Sequence, residues 1–99
     1  MTVEEMCELF DADDSIYLKF EDIENPRHPR PDICAFLMLH DILGGEGTTD
    51  MVSAAEHDQI FLDVSLEDLA PLITEDQVKD LIRCGVHTDD YGEGLAMFA

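Results

Sequence analysis

The stretch FDADDSIYLKFED, residues 10–22, sets acidic and hydroxyl side chains where a calcium loop would have them. Asp11, Asp13 and Ser15 alternate, and Asp22 stands at loop position twelve. Such a loop needs glycine at position six for its sharp turn. It also needs glutamate at position twelve, to reach the ion with both oxygens. Ile16 and the shorter Asp22 hold those positions, so specific calcium binding is not expected.

Cys84-x-x-His87 has the spacing of half a zinc site. Cys7 or His57 would complete it only by approach in space. Together with nearby carboxylates, Cys84 and His87 make a small metal-dependent enzyme the alternative reading of this chain. The plainer reading is a buried thiol at a helix end beside a strand histidine. No G-x-S-x-G nucleophile elbow occurs. GGEG at 44–47 lacks a phosphate-binding lysine, and Glu46 would repel the anion. No cofactor is expected, and the leading expectation is that the protein is not an enzyme.

The strongest chemical signal is charge. Against 24 Asp and Glu stand 5 Lys and Arg, a net charge of −19. Residues 1–50 hold 13 acids and 3 bases and residues 51–99 hold 11 and 2, so the surplus is not a tail. A field of this sign argues against direct binding to nucleic acid or to an anionic membrane, both of which need Lys and Arg. It favours a basic protein partner, met quickly and with strong salt dependence. Duplex DNA carries about one charge per 1.7 Å of axis, and a small domain of charge −19 can present a comparable field.

Three acidic groups stand out. Glu4, Glu8 and Asp11 recur at helical spacing and run on into Asp13 and Asp14. Glu75, Asp76 and Asp80 form a second group, and Asp89, Asp90 and Glu93 surround a turn near the C-terminal end. Glu4 and Glu5 suit a helix N-terminus. Glu8 and Asp11 lie toward the negative end, where the helix dipole disfavours them. The first and third groups are the expected partner-binding residues, with Tyr17 or Tyr91 as aromatic anchors. This describes a non-enzymatic inhibitor of nucleic-acid-mimic type, occupying the nucleic-acid-binding surface of an enzyme or complex. A phage protein directed at a CRISPR or restriction system is one setting. An immunity protein held against a toxic nuclease is another. A solvated acidic face, or a halophile-adapted subunit of a larger assembly, would carry the same composition.

The elements that position these groups follow from periodicity. Thr2 and Glu5 match a capping box, and Val3, Met6, Cys7 and Phe10 make the apolar face of a helix of about two turns. Ile16, Leu18 and Phe20 alternate with polar neighbours and predict a strand. PRHPRP at 26–31 is an extended loop, and Pro31 opens a helix over about 32–43 that is apolar nearly all round. Two strands flank a turn at His57-Asp58, with Ile60, Leu62 and Val64 inward. Ser65 with Asp68 and Thr74 with Gln77 open helices at 66–72 and 75–84, the second closed by Gly85. The remainder is a hairpin turning at DDYG.

The expectation is one acidic α+β domain over 1–99: a small, mostly antiparallel sheet packed against one central apolar helix, with shorter flanking helices. Cys7, Cys34 and Cys84 are widely spaced and odd in number, as reduced thiols in a cytoplasmic protein would be. MTVEEMCELF lacks the basic start and apolar run of a secretion signal, and the longest apolar run, ICAFLML, is too short to span a membrane.

Overall fold

The computed structural model describes residues 1–12, 14–44, 51–56, 58–89 and 94–98, with backbone alone at residue 14. Helix α1 spans Val3–Ala12, α2 Pro31–Ile42, α3 Leu66–Leu69 and α4 Glu75–Cys84. Strands β1 (Val52–Glu56), β2 (Gln59–Leu62), β3 (Val86–Thr88) and β4 (Leu95–Phe98) form one antiparallel sheet in the order β1-β2-β4-β3. The fold is α+β. No helix among the described residues is long and apolar enough to cross a membrane.

The helix starts are set by side-chain capping. In α1 the Thr2 backbone N–H donates to Glu5 Oε1 at 2.9 Å, and the Glu5 N–H donates to Thr2 Oγ1 at 3.1 Å. Thr74 and Gln77 repeat this reciprocal pair at α4. Ser65 Oγ accepts from the Asp68 N–H at α3. Each satisfies donors that a helix start leaves open. Pro31 is the first residue of α2, where its missing N–H costs nothing. Gly85 ends α4 at φ 99°, a left-handed conformation that glycine adopts without a side-chain penalty.

One cluster of buried side chains joins these elements. Met6 and Phe10 enter it from α1, Cys34 and Leu39 from α2, Val78 and Leu81 from α4. Amphipathic α4 lies against α1, α2, β3 and both 3₁₀ turns described below. Helix α2 buries the stripe Cys34, Ala35 and Leu39 and keeps Ile33, Phe36 and Met38 half-buried. In the sheet, Val86, Met97 and Ile60 stand opposite one another on the face that carries the core residues, while His87, Ala96 and Phe61 share the other. Phe98 alternates with Met97, so it belongs with His87.

The strand expected over 16–20 does not form. The chain makes two 3₁₀ turns, Asp14–Ile16 and Phe20–Asp22, around Leu18 at φ 61°. Alternation placed Leu18 inward; it is 59% exposed, and Ile23 is buried instead. The backbone explains the difference. The Leu18 N–H donates to the Ile82 carbonyl at 3.2 Å, a second donor to an oxygen in the last turn of α4 that also accepts from the Gly85 N–H at 2.9 Å. The segment covers a helix end instead of pairing with a strand. The hairpin turning at Asp58 (φ 64°) is as expected, although His57 lies outside the described residues.

Candidate functional site

Among the expected binding residues, Glu4, Glu8 and Asp11 are exposed along one face of α1. Three- and four-residue spacing brings them to one side of the helix. Asp14 begins the first 3₁₀ turn, beyond the end of α1, and its side chain is not described. Asp13, Asp90 and Glu93 lie outside the described residues, as does Tyr91.

Asp89 follows β3 directly, and the fold brings it toward α1. The Asp89 N–H donates to the Gly94 carbonyl at 2.9 Å, closing the base of the last hairpin. The neighbouring Thr88 hydroxyl donates to Asp11 Oδ1 at 3.3 Å. Both carboxylates act on Cys7. Its thiol pKa is raised by burial first, then by the negative charges of Asp11 and Asp89. Two acidic groups that are separate in sequence therefore act on one point of the surface.

The other flank of α1 adds Glu5, which helical spacing did not single out, and Glu75 from the second acidic group. With Glu8 they line an open cleft of about 450 Å³ that Met1 and Leu9 also line. Glu75 arrives from the start of α4, so part of the second acidic group joins the first. Asp80 does not; it pairs with Arg83 at 2.8 Å. Glu5 is held below its ordinary pKa by the Thr2 backbone N–H and then by the Thr2 hydroxyl. Two further pairs, Arg27 with Asp41 and Arg30 with Asp32, complete the ion pairs among the described residues. All three arginines of the chain are therefore engaged away from α1, whose carboxylates make no ion pair among the described residues.

A second cleft, of about 290 Å³, straddles the outer edge of β3. Phe10, Asp11, Tyr17, His87, Thr88 and Phe98 line it. The His87 ring lies 4.8 Å from Phe98 and 6.3 Å from Tyr17, centroid to centroid, with tilted planes. Its Nδ1 is 2.9 Å from the Thr88 carbonyl oxygen, which can only accept, so the neutral ring carries its hydrogen there. That leaves Nε2 as an acceptor. Nε2 is buried and has no hydrogen-bond partner among the described residues. Burial raises the Tyr17 pKa, so its hydroxyl stays protonated. Tyr17 was expected as an exposed anchor; it is half-buried against His87. Among the described residues the exposed aromatic is Phe98, at 60%. Strand alternation signals it: Leu95 and Met97 face the core, which turns Phe98 the other way.

Cys84 is buried beside Cys34, away from this cleft, and burial followed by the neighbouring Cys34 pushes its pKa far up. Among the described residues, no group of three or more His, Cys, Asp or Glu converges where an ion could be held.

Comparison with known protein families, with curated proteins and with solved structures finds no match for this chain.

Proposed function

We propose that this protein is a non-enzymatic acidic binding protein, and that the α1 face with the adjoining end of β3 occupies a basic, nucleic-acid-binding surface of a partner protein. Inhibition follows from occupancy, because the partner cannot hold nucleic acid on the same surface. A phage product aimed at a defence enzyme and an immunity protein held against a nuclease both have this requirement.

The observation that carries the reading is the carboxylate face of α1. Glu4, Glu8 and Asp11 are exposed on one side of the helix and make no ion pair among the described residues, Asp89 adjoins them through the Thr88–Asp11 contact, and Glu75 adds to the other flank. Repulsion within such a face opposes folding, whereas a basic partner relieves it. Opposed charges raise the encounter rate and make it fall steeply with salt.

The test is to capture the partner from the source cell and then compete the complex with duplex DNA and with RNA. The expected result is mutual exclusion at low salt, with affinity dropping as salt rises. A ternary complex of protein, partner and nucleic acid at low salt rules the reading out.

A further inference from the structure

We propose that the cleft at the outer edge of β3 receives the guanidinium of an arginine from the partner, laid against the Phe98 and Tyr17 rings and bonded to the Asp11 carboxylate and His87 Nε2. This rests on the reading of the protein as a binder of a basic surface, and it names the contact that gives that surface specificity.

The cleft offers two acceptors and two aromatic surfaces. One oxygen of Asp11 is taken by Thr88; the other has no partner among the described residues. His87 Nε2 is an acceptor because Nδ1 is committed to the Thr88 carbonyl, and it is buried without a donor. A buried acceptor left unpaired is costly, and a donor from outside removes that cost; Nε2 has no exposed surface in the free protein, so the guanidinium reaches it as the cleft side chains change rotamer on binding. The exposed Phe98 ring and the half-buried Tyr17 ring add π-faces beside these acceptors.

Arginine fits this set better than other occupants. Its guanidinium is planar, so it can lie on an aromatic face while its edge donates. Its five donors in a fixed fork can serve a carboxylate and an imidazole nitrogen together. Lysine is a compact, strongly hydrated charge with no flat surface to stack. An anion would meet Asp11. A drug-sized ligand is also a poor match, since the volume of about 290 Å³ lies at the lower end of small-molecule sites. The size suits one inserted side chain, which is how arginine hot spots are seated in protein interfaces.

The experiment titrates the ¹⁵N-labelled full chain with octa-arginine and, separately, octa-lysine at low salt. The expected result is tighter binding of octa-arginine, by about tenfold for one desolvated stacked cation. The amide shifts should centre on Tyr17, His87, Thr88 and Phe98. Arginine binds carboxylates somewhat better anywhere, so the deciding readout is the variants. His87→Phe keeps a ring and removes the acceptor; Phe98→Ala trims an exposed side chain and serves even if the first variant misfolds. Each should bring arginine affinity down to the lysine level while lysine affinity stays put. If both variants keep the arginine preference, the cleft is not the site, and the broader binding reading stands. If neither peptide binds, the proposal and the broader reading fall together.

Discussion

The Thr88 hydroxyl donates to Asp11 Oδ1 at 3.3 Å, tying the C-terminal turn of α1 to the outer strand of the sheet across 77 positions of sequence. Asp11 sits where the helix dipole is negative, and α1 has no basic residue in its last turn. The hydroxyl is therefore one of the few groups that favour this carboxylate.

Removing the hydroxyl with Thr88→Val should destabilise the fold by about 0.5–1.5 kcal/mol, the usual net worth of such a bond. Asp11→Asn keeps the acceptor and removes the charge, so it should be neutral or slightly stabilising. In the Asp11→Asn background the Thr88→Val cost should shrink. Urea melts of the four chains give the coupling directly, and a purely additive result would show that the two side chains do not interact.

Cys7 reports on the same corner. Burial and the charges of Asp11 and Asp89 hold its thiol protonated, so alkylation at mildly alkaline pH should be slow. Asp11→Asn should speed it by roughly twofold to fivefold, the effect of one charge at high effective dielectric. The acceleration should fade in high salt. Thiol-reagent kinetics on a Cys34→Ala/Cys84→Ala background isolate this group.

Gly85 and Leu18 depend on each other. A Cβ on Gly85 would stand 2.7 Å from Leu18 Cδ2, and the backbone there is left-handed at φ 99°. Gly85→Ala should cost about 1–2 kcal/mol from the backbone conformation alone, plus the displacement of Leu18. Since Leu18 is largely exposed, Leu18→Ala should recover the second part and not the first. Thermal melts of the single and double variants separate the two.

These contacts also mark where sequence reasoning stopped. The helices with reciprocal caps, Thr2 to Glu5 and Thr74 to Gln77, were legible because the signal is local and the residues that form the cap are the ones that reveal it. The hairpin turning at Asp58 was legible for the same reason, while the DDYG turn lies mostly outside the described residues. The segment 16–20 was not. Its alternation is real, but Leu18 answers to the Ile82 carbonyl in the last turn of α4, 64 positions away, and no local pattern carries that. The acidic stripe of α1 could be read from spacing. Its meeting with Asp89 and Glu75, and the cleft built from Tyr17, His87 and Phe98, required the packing of α1 against β3 and α4.

Glu5 makes a pH prediction whose sign is fixed. Hydrogen bonds from Thr2 lower its folded pKa beneath the ordinary value of 4.5. Its contribution is therefore fully present above that value and is lost as pH falls through the folded pKa. Thr2→Ala removes the hydroxyl and keeps the backbone N–H, the larger cause, so the Glu5 carboxyl should move only part of the way back to its ordinary pKa, which a carbon-detected NMR titration reads. A titration unchanged by Thr2→Ala would show that the hydroxyl adds nothing and that the backbone N–H alone lowers this group.

The acidic face should work against stability and for binding, and the two can be separated. Glu4 and Glu8 are like charges at four-residue spacing, worth about 0.2–0.5 kcal/mol of repulsion. Asp11 adds a dipole cost of about 0.3–1 kcal/mol. Glu8→Gln with Asp11→Asn should therefore raise stability modestly in low salt. The gain should vanish near 1 M salt, where the screening length falls to about 3 Å. The same double variant should bind a basic partner more weakly, and the slope of log affinity against log salt should become shallower. A merely solvated face predicts the stability gain without the loss of binding, because nothing docks on the carboxylates that were removed. Denaturation and binding isotherms, each measured across a salt series on the same two proteins, decide between these outcomes.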